Sequence, residues 1–170
     1  MENEIKKRIY IALTLTGITY LLCSGAYFLL SLVMDRVFGA LIRMYCYHFT
    51  YPYQYIFIVC LSFGIFGTIW DKYCRKMTGI KKRLSIIFLL ILTVLYSSVF
   101  GGILWKIHDM QAGYFTTGMR FVDDLKWGAM AGLLCGWMIV LLSIPFNIIT
   151  GIVMYQTLKY TTNYFEDKEL

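Results

Sequence analysis

Residues 71–83 read DKYCRKMTGIKKR and hold six of the sixteen Lys and Arg residues of the chain: Lys72, Arg75, Lys76, Lys81, Lys82 and Arg83. Long uncharged runs flank this segment on both sides. A short connection with so many cations stays on the cytoplasmic side of a membrane and orients the neighbouring spans. The sequence therefore predicts a basic cytoplasmic loop over 71–83, in contact with anionic lipid.

The composition of the 170 residues is that of a membrane protein. Apolar residues make up 59% of the chain and charged residues 15%, whereas soluble domains carry about a quarter charged residues. The net charge of +6 would suit a nucleic-acid-binding protein. The cations lie beside the apolar runs, however, so they indicate topology and we expect no nucleic-acid partner. The five cysteines form no CxxC pair, which argues against a disulfide-exchange enzyme.

Four uncharged runs predict transmembrane helices over about 9–34, 53–70, 84–105 and 127–158, with a short linker at 35–43. The N-terminus, the 71–83 loop and the C-terminal tail hold eleven Lys and Arg residues, and the connections on the other side hold five. This bias predicts that both termini are cytoplasmic. We expect an all-α integral membrane four-helix bundle, a single domain over 1–170 of a bacterial inner membrane, with an extracytoplasmic loop at 106–126.

Small residues form strips on the outer halves of the third and fourth predicted spans. Gly101 and Gly102 lie near the end of the third span, and Gly128, Gly132 and Gly136 recur every four residues in the fourth. Such strips let two helix backbones approach closely. They predict either tight packing of the third span on the fourth, or a face for association with another membrane protein or a second copy.

The fourth predicted span contains Pro145 and, two residues later, Asn147. Proline removes one backbone hydrogen bond, so a kink is expected at this point. Broken helices at mid-depth often mark solute sites in transporters, which makes this pair the candidate pathway element of a carrier or channel. The four predicted cores hold no Asp, Glu, Lys, Arg or His, and this argues against an ion-coupled carrier.

Both histidines, His48 and His108, fall on the predicted outer side, and Asp109 follows the second. Two imidazoles and a carboxylate can bind Zn²⁺ and leave one position open for water. The spacing matches neither HxxxH nor HExxH, so structural or interfacial roles are the alternative. Apart from this candidate site, we expect no cofactor and no catalytic residue.

Three functions are compatible with these features. The glycine strips and the absence of buried charge favour the first, a non-enzymatic protein that associates with another membrane protein. Such a protein would be an accessory subunit, a regulator or an immunity factor. A small-solute transporter or channel, acting as a monomer or an oligomer, is the second, and a metal-dependent membrane enzyme is the third. In length, number of spans and cytoplasmic ends, the chain is similar to the small inner-membrane immunity proteins that protect bacteria from pore-forming toxins. That similarity implies the immunity role, and it includes no shared motif.

Overall fold

The computed structural model describes residues 2–46, 52–74, 76–114, 120–142 and 144–167. The described residues are helical apart from short turns, which confirms the all-α part of the prediction. The four-helix bundle and the cytoplasmic termini stay predictions. Five helices are present in these ranges: α1 Glu2–Cys46, α2 Pro52–Cys74, α3 Gly79–Gln111, α4 Phe121–Leu142 and α5 Ile144–Asp167.

Three of the described helices are long and apolar enough to cross a membrane. The apolar segments are Glu4–Leu29 in α1, Tyr53–Cys74 in α2 and Gly79–Gln111, which is the whole of α3. The first three predicted spans overlap these segments, so the structure supports a membrane protein. The predicted fourth span, 127–158, falls on both α4 and α5.

The helices extend beyond the predicted spans. The first helix continues through 35–43, where the sequence predicted a linker, and ends at Cys46. The second ends at Cys74 and the third begins at Gly79, so most of the predicted 71–83 loop is helical. Lys and Arg are good helix formers, and no proline interrupts the segment. The chain reverses at Gly79, whose φ of +61° lies in the left-handed region that favours glycine.

The break between α4 and α5 falls on residue 143, which lies outside the described residues. The kink predicted at Pro145 and Asn147 therefore stays a prediction.

The first two helices run antiparallel with aromatic contacts between them. Tyr20 packs edge-on against Phe57 with ring centroids 5.6 Å apart. Tyr27 packs in the same way against Tyr53 at 5.7 Å. Residue numbers rise along α1 as they fall along α2, which sets the antiparallel direction. Edge-to-face pairs of this kind add to the apolar contact itself.

Two hydrogen bonds join α2 to α3, one near each end of the pair. The indole N–H of Trp70 donates to the hydroxyl of Ser85 over 3.0 Å. At the other end, the Tyr55 hydroxyl lies 3.3 Å from Nδ1 of His108. These two attachments make α2 and α3 antiparallel and set how far one helix is shifted along the other.

A hydrophobic core at one end of the molecule joins four helices. It contains Leu15 from α1, Phe63 and Trp70 from α2, Leu89 from α3 and Leu158 from α5. The α1 and α3 members lie in the first halves of their helices, and the α2 and α5 members lie in the middle or last half of theirs. The start of α1, the 76–78 turn and the end of α5 therefore share one end of the molecule, which we call the basic end.

Hydroxyl groups occupy much of the remaining interior and bond to their own helices. Thr19 donates to the carbonyl oxygen four residues earlier over 2.6 Å, Thr93 does so over 2.8 Å and Thr162 over 2.9 Å. Each hydroxyl is thereby satisfied without water or a neighbouring helix. Because these side chains are small, they also allow the helices to approach closely.

Gly64→Ala is expected to weaken the contact between α1 and α2. A Cβ at Gly64 would lie 2.7 Å from the carbonyl oxygen of Ala12 and would overlap the hydroxyl of Thr16. We expect the free energy of unfolding in detergent to fall by about 1–3 kcal/mol, as for other overpacked sites. Thermal unfolding can be followed by the reaction of buried Cys60 with a fluorogenic maleimide.

Gly17→Ala is the matched control, because no atom lies within 4 Å of a Cβ at that position. This variant is expected to unfold at the wild-type temperature or slightly above it, since alanine favours the helix. Equal stability of the Gly64→Ala and Gly17→Ala variants would contradict the α1–α2 packing described above.

Candidate functional site

The contact between α3 and α4 brings two helix backbones together. A Cβ built on Gly128 would lie 2.6 Å from the carbonyl oxygen of Gly102, and one built on Gly102 would overlap the carbonyl oxygen of Gly128. One turn further, a Cβ on Gly132 would overlap the carbonyl oxygen of Ser98. Only glycine fits at these places, and the two backbones lie in van der Waals contact.

The other two glycines named from the sequence are also buried. Gly101 lies beside Gly102 on α3, and Gly136 continues the α4 strip by one more turn. At Gly136 the obstacle is a side chain, because an added Cβ would lie 2.9 Å from both Cβ and Oγ of Ser98. The structure thus places Gly102, Gly128, Gly132 and Gly136 against the facing helix of the α3–α4 pair.

Large apolar side chains are exposed on several sides of α4, including Leu133 and Met138 at 41% and 49%. Five others form a row on the side opposite the glycines. Their spacing alternates between three and four residues, and their exposed fractions lie between 48% and 68%. This alternation is that of the a and d positions of a coiled coil, which pack against a neighbouring helix. We call this row the α4 stripe: Trp127, Met130, Leu134, Trp137 and Leu141.

Trp137 is a tryptophan that faces away from the rest of the protein. It lies ten residues beyond Trp127, which is about 15 Å along a helix. Tryptophan is enriched at the two membrane surfaces, because its N–H group needs a partner. Among the residues that the structure describes, Trp137 has no such partner.

Sequence reasoning missed the α4 stripe because apolar residues surround the whole helix. In a soluble protein, the buried face of a helix is recognised by its contrast with a polar face. Beyond its first turns α4 lacks that contrast, so only residue size distinguishes one face from another. The regular spacing of bulky side chains opposite the glycines was the available signal.

His108 and Tyr55 form a buried pair near the end opposite the basic end. Both side chains are buried, and their rings meet edge to face with centroids 6.0 Å apart. The hydroxyl and Nδ1 are in hydrogen-bond contact, as described above. His108 lies in the last turn of α3, where a helix terminus favours a positively charged group.

The metal candidates are not brought together within the described chain. No group of three or more His, Cys, Asp or Glu side chains in the described ranges is arranged to hold a metal ion. His48 lies outside those ranges, and Asp109 follows His108 in the last turn of α3. The metal site therefore stays a prediction.

The candidate pathway residues Pro145 and Asn147 belong to α5, and their role stays a prediction. The first three helices form a groove of about 430 Å³ whose walls are almost wholly apolar. It is lined by Tyr20, Tyr53, Gln54, Phe57, Ile58 and Leu104.

The predicted lipid-contacting cations lie at the basic end. Lys72 is in the last turn of α2 and Lys76 is in the turn that follows, whereas Lys81, Lys82 and Arg83 begin α3. The ammonium group of Lys72 lies 5.2 Å from the ring centroid of the neighbouring tyrosine, which is a cation–π contact. Arg75 lies outside the described residues.

Comparison with known proteins adds no function to this geometry. No family model, no curated protein and no solved structure matches the chain. The function is therefore inferred from the placement of the side chains, and the α4 stripe is the feature that bears on it most directly.

Substitutions at Gly132 and Gly136 are expected to respond differently to a change at Ser98. Each alanine should lower the unfolding free energy by about 1–3 kcal/mol. Ser98→Gly removes the side chain that obstructs position 136 but leaves the carbonyl oxygen that obstructs position 132. In the Ser98→Gly background, Gly136→Ala should therefore lower the unfolding free energy only slightly. In the same background, Gly132→Ala should lower it as much as it does in the wild-type protein.

This comparison is a double-mutant cycle, with thermal unfolding in detergent as the measurement. Each double variant is compared with Ser98→Gly alone, so that the intrinsic cost of the extra glycine cancels. If Ser98→Gly restores the stability of both alanine variants, or of neither, α3 and α4 do not pack in this register.

Proposed function

We propose that the protein is a four-span protein of a bacterial inner membrane with both termini in the cytoplasm. The first three helices supply three spans, and α4 together with α5 supplies the fourth. The antiparallel contacts support this arrangement, because they gather the start of α1, the 76–78 turn and the end of α5 at the basic end. Eleven of the sixteen Lys and Arg residues belong to that end, and such an excess marks the cytoplasmic side.

Within that membrane, the protein acts without catalysis, through lateral association with another membrane protein. It is an accessory subunit, a regulator or an immunity factor. The α4 stripe is the single observation that carries this proposal. The fourth helix packs mainly on α3, and its stripe points away from that contact with coiled-coil spacing.

The glycines do not supply the partner face, because α3 already covers them. Association in lipid gains little from the hydrophobic effect, since lipid tails are as apolar as leucine. Helix association in lipid is therefore stabilised by close packing of side chains and by hydrogen bonds to polar groups. The α4 stripe offers both, with bulky side chains that interlock with those of another helix and a Trp137 N–H that a partner can accept.

A partner crosslinking experiment tests the α4 stripe. A photoreactive residue at Met130 in the native membrane is expected to capture one reproducible membrane protein, identified by mass spectrometry. The double substitution Leu134→Ala with Trp137→Ala should reduce this product at least about tenfold, because a few large side chains usually dominate an interface. Insertion and thermal stability should be unchanged, since both side chains are exposed.

The control is Leu21→Ala with Leu29→Ala on α1, two leucines that are as exposed as those of the α4 stripe. This variant should retain the crosslinked product. Equal losses in the two double variants, or no loss in either, would refute the α4 stripe as the partner face. Crosslinks to a second copy of the chain alone would identify the partner as the protein itself.

The proposed topology is tested by labelling single cysteines in a cysteine-free background. Tyr114→Cys lies in the exposed turn after α3, and Thr78→Cys lies in the exposed turn after α2. A membrane-impermeant maleimide added to intact spheroplasts should modify the first and spare the second until the membrane is opened. The reverse pattern would place the basic end outside and overturn the orientation.

A further inference from the structure

Cations from three helices meet at the basic end. Residues 1–8 and 71–83 contain nine Lys and Arg residues against three acidic ones. The helices α2 and α3 bring their cations together because only a few residues separate the end of one helix from the start of the next. Lys72, Lys76, Lys81 and Arg83 are all exposed there, and Lys82 is half-buried.

The start of α1 belongs to the same cluster. Ile11 and Leu15 near the start of α1 belong to the same hydrophobic core as Trp70 near the end of α2. Within α1, Glu4 forms an ion pair with Arg8 over 3.0 Å. The excess of cations in residues 1–8 and 71–83 makes the field at this end positive.

Aromatic and apolar side chains accompany these cations. Trp70 is held by its hydrogen bond to Ser85, and the exposed Tyr73 lies beside Lys72. Tryptophan and tyrosine mark the headgroup level of a membrane. Ile80 and Leu84, one turn apart at the start of α3, expose 73% and 59% of their surface. Exposed apolar side chains thus lie next to the cations at the start of α3.

From this arrangement, we infer that the basic end binds the phosphate headgroup of an anionic phospholipid at a site shared by α1, α2 and α3. A phospholipid satisfies both parts of the surface, because its phosphate meets the cations while its acyl chain covers Ile80 and Leu84. An acidic protein segment would satisfy the charges alone. Basic pockets between spans on the cytoplasmic side commonly bind such lipids. The positive end of the α3 dipole adds to the same field.

This inference rests on membrane insertion and does not depend on association through the α4 stripe. The two surfaces lie on different helices, since no residue of the stripe belongs to α1, α2 or α3. A failure of the partner experiment would leave the lipid site unaffected, and a failure of the lipid experiment would leave the partner face unaffected.

The test measures lipid selectivity of the purified protein in phosphatidylcholine vesicles. Spin-labelled phosphatidylglycerol and spin-labelled phosphatidylcholine are added in turn, and electron paramagnetic resonance gives the fraction of each that is immobilised by the protein. We expect the wild-type protein to prefer phosphatidylglycerol at low ionic strength and to lose part of that preference in high salt. Both leaflets have the same composition, so the orientation of the protein in the vesicle does not affect the result.

The triple variant Lys81→Gln, Lys82→Gln, Arg83→Gln should reduce this preference at least about threefold, given the usual effect of each cation near a membrane surface. Lys106→Gln, Arg120→Gln, Lys126→Gln is the matched control, because it removes the same charge from the opposite end. It should keep the wild-type preference. Thermal unfolding of both variants shows whether they are folded, and Lys72→Gln with Lys76→Gln replaces the first variant if that one is not.

Two results would overturn the inference. Equal loss of preference in the two triple variants would show that net charge, and no particular site, attracts the lipid. If the wild-type protein shows no preference for phosphatidylglycerol, the basic end does not bind anionic lipid. Crosslinks from the basic end to a protein would then show that this end is a protein-docking surface.

Discussion

The direct contact of two helix backbones at Gly102 and Gly128 governs how the rest of the molecule is arranged. Inside a bilayer, helices gain little from leaving lipid, so their association depends on how closely their atoms can pack. A side chain at either position would push α4 away from α3. The contact also prevents α4 from rotating about its axis, and so it determines that Trp137 and Leu134 point away from the protein.

The remaining helices are held by a mixture of small and aromatic side chains. Many of the buried threonine and serine hydroxyls bond to their own helices. Aromatic pairs then fill the spaces between α1 and α2.

The all-helical fold and three helices long and apolar enough to cross a membrane could be predicted from the sequence, because long uncharged runs favour membrane helices. The helix ends could not, since Lys82 and its neighbours serve equally well in a loop or in a helix. The Tyr55–His108 pair joins residues far apart in sequence, and the α4 stripe lacks a polar face as contrast, so neither could be recognised in advance.

The two hydrogen bonds between α2 and α3 have a mechanical consequence. Trp70 and Ser85 are joined at one end of the pair, and Tyr55 and His108 at the other. With both ends attached, neither helix can slide along the other without breaking a bond. A shift of α2 along α3 would therefore cost both hydrogen bonds at once, about 0.5–1.5 kcal/mol each, so the pair resists shear.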